Sequence, residues 1–179
     1  MALPDVYVQV YGQLAEVFKR ISDGQAPEKF TTQYLKDLGF QSSNYRAVIP
    51  LLKALGFLSE DGTPTARYHS YRDHSQSRRV LAQALREAYA DLFTIKAEPA
   101  ETDRALIEGK FKSAHNASER TAKLMASTFY SLLPLADLKS TPPKALPELR
   151  VEPKAEPESR SAAKDQHPGA HRPTLHYNI

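Results

Sequence analysis

Two helical patterns in this chain stop on the same three letters, Leu38-Gly39-Phe40 and Leu55-Gly56-Phe57, and an Asp61-Gly62 turn dipeptide follows directly. Each glycine stands one position beyond the last apolar residue of its pattern. A left-handed backbone is needed there, and a residue without Cβ adopts it at least cost. Between Thr31 and Arg67 the chain therefore reads as two short helices joined by a tight corner, with a turn behind them. The spacing predicts a helix-turn-helix followed by a small β-hairpin wing.

Within that segment Thr31 is placed to cap a helix whose Tyr34, Leu35 and Leu38 face inward, and Ser42-Ser43-Asn44 forms a second capping cluster. Tyr45, Val48, Leu52 and Leu55 then fall within about 80° of one another at about 100° per residue, the buried face of a third helix. Arg46, Pro50 and Lys53 share the opposite side. Pro50 leaves two accounts, an outward kink or a helix that begins only near Ile49. The kinked helix is the expectation, since the shorter one leaves barely one and a half turns. Phe57 to Glu60 and Thr63 to Tyr68 are the two strands of the expected wing, with Pro64 on an edge.

Helical spacing recurs on both sides. Asp5 is the expected N-cap of a first helix carrying Val6, Val10, Leu14, Val17 and Ile21. Leu81, Leu85, Tyr89 and Leu92 stripe a helix from Gln76 to Phe93. Thr102 is the expected cap of a helix with Leu106, Ile107 and Phe111, and Ser118 with Glu119 opens one carrying Ala122, Met125, Phe129 and Leu132 up to Pro134. Beyond Leu138 the composition changes. Seven of the 13 prolines fall from residue 139 onward, interleaved with Lys, Glu, Ala and Ser, which predicts extended chain without a core. The expected organisation is a winged-helix-like module over 1–75 and a helical second half packed on it over 76–138. A disordered linker over 139–173 and a truncated, strand-like end over 174–179 complete it, the last carried by alternating Leu175, Tyr177 and Ile179.

The net charge of +3 invites a nucleic-acid partner, but the charge is spread thinly. Residues 1–80 hold ten Lys and Arg against eight acids, residues 81–138 seven against eight, and residues 139–179 seven against five. Any duplex affinity should accordingly be modest and lost at moderate salt. Absence of cysteine excludes disulfides and thiolate chemistry and fits a reducing compartment, so the expected location is the cytoplasm. No apolar run approaches the roughly 18 residues of a membrane span, and Met1-Ala2-Leu3-Pro4-Asp5 does not read as an export signal.

The candidate nucleic-acid contacts follow from the third helix and the wing. Ser43, Asn44 and Arg46 would meet base edges, and Lys53 and Arg67 would reach phosphates. Arg78 and Arg79 would extend the basic surface. The plainer alternative is that Ser43 and Asn44 only cap a helix, Arg46 and Lys53 form a solvated face, and Arg78 or Arg79 pairs with Asp73. His167, His171 and His176 are close in sequence but lie in a proline-rich stretch that offers no rigid frame for a metal, and His69 and His74 read as surface residues. No glycine-rich phosphate loop, nucleophile elbow or paired-histidine zinc motif is present. No catalytic residue, cofactor or metal is expected.

The stretch Ser42 to Thr65, SSNYRAVIPLLKALGFLSEDGTPT, resembles a prokaryotic family of uncharacterised proteins grouped as a domain of unknown function with a winged-helix-like N-terminal half. LREAYADLF and ERTAKLMASTFYSL look like its second half, so that the resemblance covers roughly residues 5 to 138. The final LHYNI looks like the opening of a strand motif that in such proteins continues further. The resemblance implies the fold and carries no activity. The expectation is a non-enzymatic winged-helix protein that binds double-stranded DNA or acts in regulation. The alternative is a protein–protein adaptor whose helical face and tail dock a partner.

Overall fold

The computed structural model describes residues 3–139. The expected linker from residue 140 onward, the strand-like end and His167, His171 and His176 lie outside the described residues. The N-terminal segment differs from expectation. Residues 3–8 form no regular element, a 3-10 turn follows at Tyr11–Gln13, and helix α1 runs only over Leu14–Asp23. Asp5 is exposed and caps nothing, because the backbone N–H of Val8 donates to Thr128 Oγ1 at 2.9 Å and holds this segment away from helical geometry. Leu3 and Val8 are buried in consequence, while Leu14, Val17, Phe18 and Ile21 form the buried stripe of α1.

Helix α2, Thr32–Asp37, is capped by the Thr31 hydroxyl, which accepts from the Tyr34 N–H at 3.2 Å. Its end and that of α3, Val48–Ala54, are built alike. Gly39 (φ 101°) donates to Lys36 O while Phe40 donates to Leu35 O. Gly56 (φ 73°) donates to Lys53 O while Phe57 donates to Leu52 O. This is the paired hydrogen-bond closure that a left-handed residue after a helix permits, and it turns Phe40 and Phe57 back into the core. The long kinked third helix is not formed. A 3-10 turn, Ser43–Ala47, precedes α3, so Pro50 falls in the first turn of the α-helix, where its missing N–H leaves no bond unmade. Val48, Leu51, Leu52 and Leu55 are all buried, with Tyr45 half-buried.

The expected wing is absent, and the winged-helix assignment falls with it. Among the described residues there is no β-strand, only an isolated antiparallel bridge between Leu58 and Pro64. Two local preferences outcompete the hairpin. Asp61 accepts from the hydroxyls of Ser59 (2.5 Å) and Thr63 (2.8 Å), curling the connection into a knot of side-chain bonds. Thr65 then caps a new helix, α4, Ala66–Tyr71, which consumes the residues of the second strand. Pro64 has no N–H with which to extend a ladder.

The remaining helices are α5, Ser77–Ala88, α6, Ala90–Ile95, α7, Arg104–His115, and α8, Glu119–Leu132. The single helix expected from Gln76 to Phe93 breaks at Tyr89, whose backbone (φ −109°, ψ 32°) is not helical. Thr102 does not cap α7; the Asp103 carboxylate accepts from the Ala100 N–H at 3.1 Å instead, in a 3-10 turn that leads into the helix. Ser118 caps α8 through the Thr121 N–H, and Ala122, Met125, Ala126, Thr128, Phe129 and Leu132 are buried. Aromatic rings pack against one another through the core. Phe18, Phe57 and Tyr71 meet edge to face at 5.3 to 5.9 Å, and Tyr89 and Phe93 pack on Phe129 at 4.9 and 5.9 Å.

Candidate functional site

The seven residues proposed as contacts separate into groups with different surroundings. Ser43, Asn44 and Arg46 are exposed on the 3-10 turn ahead of α3, and their side chains make no hydrogen bond or ion pair among the described residues. Lys53 is half-buried and its Nζ donates to the Glu60 carbonyl at 2.5 Å. Arg67 turns inward. One guanidinium nitrogen donates to the Leu55 carbonyl at 2.8 Å and the other meets the Glu87 carboxylate, so the cation closes the end of α3 and is neutralised there. Arg78 donates to Pro134 O at 3.3 Å while its own carbonyl accepts from Asp137 N. Arg79 is exposed beside it. Asp73 pairs with neither arginine; it accepts from Ser75 and Gln76, and the Ser75 hydroxyl first among these holds its carboxyl below the usual aspartate range.

Arg46 borders two clefts. One, of about 180 Å³, lies between α2 and the 3-10 turn and is lined in part by Thr32, Lys36, Gln41 and Ser43. The other, of about 280 Å³, lies between the 3-10 turn and the N-terminal segment, where Tyr7 and Gln9 face Ser43, Asn44 and Ala47. Neither cleft has a carboxylate in its lining. Lys36 is exposed and, like Arg46, makes no ion pair among the described residues. The locus is thus two cations without an ion pair among neutral donors and acceptors, a chemistry suited to an anion carrying several acceptor oxygens.

The sequence does not single out Lys36, Gln41, Tyr7 or Gln9. Lys36 is a polar residue next to buried Leu35, as any amphipathic helix supplies, and Tyr7 and Gln9 reach the second of these clefts because Val8 between them is pinned inward.

His74 bridges Ser22 and Asp23, with Ser22 Oγ 3.1 Å from Nδ1 and Asp23 Oδ1 3.4 Å from Nε2. The residue types match a nucleophilic triad, but Ser22 is only 9% exposed and lines none of the clefts described here. The group ties the end of α1 to the α4–α5 connection. His69 is exposed, and among the described residues no three His, Cys, Asp or Glu side chains are grouped to hold a metal. No helix among the described residues is long and apolar enough to cross a membrane.

Compared with known proteins, residues 6–143 match a family model described as Family of unknown function (DUF5343). No curated protein and no solved structure matches the chain.

Proposed function

The chain belongs to that family, and we propose that it is a non-catalytic nucleic-acid-binding protein that grips its ligand through Lys36, Ser43, Asn44 and Arg46. The observation that carries this reading is the absence of any carboxylate from the two clefts that Arg46 borders. Solvated basic residues on a folded protein are commonly interspersed with acids, and at Arg67 a glutamate does neutralise the cation. Around Arg46 the charge is left for something outside the molecule. Ser43, Asn44 and Gln41 supply neutral hydrogen bonds of the kind that position a sugar-phosphate backbone. Helix α3 has seven residues, about 10 Å of rise, and no wing stands beside it. Backbone contact therefore dominates over reading of base edges.

The test is an anisotropy titration of the full chain with a labelled random oligonucleotide pool across a salt series. Two phosphate-neutralising cations give a log–log salt slope of about −1.4 to −1.8. Arg46→Ala should remove roughly one unit of that slope, and Arg67→Ala should leave it unchanged. A wild-type chain that binds no pool at low salt would falsify the reading. The adaptor alternative rests on the helical face together with the tail and the terminal strand, and the last two lie outside the described residues.

A further inference from the structure

A third open cleft, of about 520 Å³, lies between the Tyr11–Gln13 turn and the start of α8, lined by Tyr11, Glu119, Arg120, Lys123, Leu124 and Ser127. Tyr11 is 38% exposed, one of few large hydrophobic side chains left so open. Its neighbours along the chain explain why. Val8 and Leu14 are both fully buried, and the turn between them leaves the ring of Tyr11 at the cleft. Arg120 makes no ion pair among the described residues, Lys123 is held by Glu119 at 2.6 Å, and Lys112 and Glu108 are the next charges to be felt there. Lys112, Arg120 and Lys123 against Glu108 and Glu119 leave a balance of +1. The cleft thus offers an aromatic face, an apolar floor at Leu124 and a free guanidinium.

The same short segment reaches two of the three clefts: Tyr7 and Gln9 line the larger of the two that Arg46 borders, and Tyr11 lines this one. Four residues of chain span at most about 14 Å, so the two clefts are within reach of a few nucleotides. In a duplex the bases are stacked and paired and offer no free face to a tyrosine. In a single strand they do, and stacking on aromatic rings beside a basic track is how such strands are held without sequence preference. Resting on the reading of the Arg46 clefts given above, we infer that the ligand is single-stranded nucleic acid. Its backbone lies along Lys36 and Arg46, one base stacks on Tyr11, and Arg120 meets the adjoining phosphate.

The probes are oligothymidylate and oligouridylate of roughly 16 nucleotides, spanning the usual site sizes, and a duplex of equal length, each titrated into the full chain at low salt. With nine tyrosines and no tryptophan, quenching of intrinsic tyrosine fluorescence reports stacking beside the anisotropy signal. Both single strands should bind about tenfold or more tighter than the duplex. Tyr11→Ala should weaken single-strand binding about five- to hundredfold and remove the Tyr11 share of the quench, while Tyr11→Phe removes that share of the quench but keeps the affinity. Unchanged binding by Tyr11→Ala, or equal affinity for duplex and single strand, overturns the inference while leaving the Arg46 reading intact if Arg46→Ala still weakens binding. Failure of every probe overturns both.

Discussion

Arg67 donates from Nη1 to the main-chain carbonyl of Leu55 at 2.8 Å, across the corner that Gly56 makes, and so completes the end of α3 with a side chain from the following helix. The sequence had placed this arginine on an outward-facing wing. Its bond to a part-buried carbonyl is charge-assisted, whereas its contact with half-exposed Glu87 is screened by solvent and contributes little. Arg67→Ala should lower stability by about 1–3 kcal/mol, read from the midpoint of urea unfolding. Unchanged stability together with weakened oligonucleotide binding would return Arg67 to the surface role.

Gly39 and Gly56 both hold positive φ, but only Gly56 is crowded, since a Cβ there would sit 2.6 Å from Arg67 Nη1 and nothing lies within 4 Å of one at Gly39. Alanine at either position incurs the left-handed cost of roughly 1–2 kcal/mol. Gly56→Ala should cost more, because the guanidinium must also move. Equal losses in parallel thermal melts would show that the Arg67 contact adds nothing.

The N-terminal segment hangs on Thr128. Its hydroxyl accepts from the Val8 N–H at 2.9 Å and donates to the Leu124 carbonyl at 2.8 Å, with the residue fully buried. Thr128→Val keeps the shape and strands that N–H, so a loss of about 1–3 kcal/mol is expected, with faster amide exchange at Val8. Protection at Val8 equal to that of the parent protein would disprove the tie.

Hydrogen bonds from Ser59 and Thr63 hold the Asp61 carboxyl well below the ordinary aspartate value of 3.8. A depressed folded value means that the ionised loop stabilises the fold in full above the unfolded value and loses that contribution as pH falls through and below it. Melting temperature should therefore drop on acidification below about pH 4. In Asp61→Asn this part of the acid limb should flatten, and a limb identical to the parent's would count against the bonds.

At the other end of the scale, burial pushes the Tyr71 hydroxyl up to about 12 despite the opposing pull of Arg78, and burial raises fully enclosed Tyr89 as well. Both favour the neutral form in the fold, so stability is complete below the ordinary value of 10 and is lost as pH rises toward the folded value. Tyrosinate absorbance should rise in two stages, with the buried rings ionising only as helicity collapses. A single smooth rise preceding any loss of helicity would contradict that packing.

Features governed by their immediate neighbours were legible in the letters. Gly39 and Gly56 end helices, and Thr31 and Ser118 cap them, because those bonds span five residues or fewer. Core stripes at Val48, Leu52, Leu55 and along α8 followed from period alone. The family resemblance was likewise carried by residues that lie together in sequence.

Tertiary structure decided wherever two local preferences competed or a partner lay far along the chain. Phe57 to Tyr68 read as a hairpin; the Thr65 cap and α4 prevailed instead, and buried Tyr68 and Tyr71 on that helix pack with Phe30, Phe18 and Phe57. Asp5 looked like a cap until Thr128, 120 residues beyond Val8, claimed that segment's N–H. The candidate surface divides the same way. Arg46 was readable as exposed, but whether a cation stays free depends on which carboxylate or carbonyl the fold brings beside it. Glu87 and Leu55 reach Arg67 in that manner, and no acid reaches the clefts at Arg46.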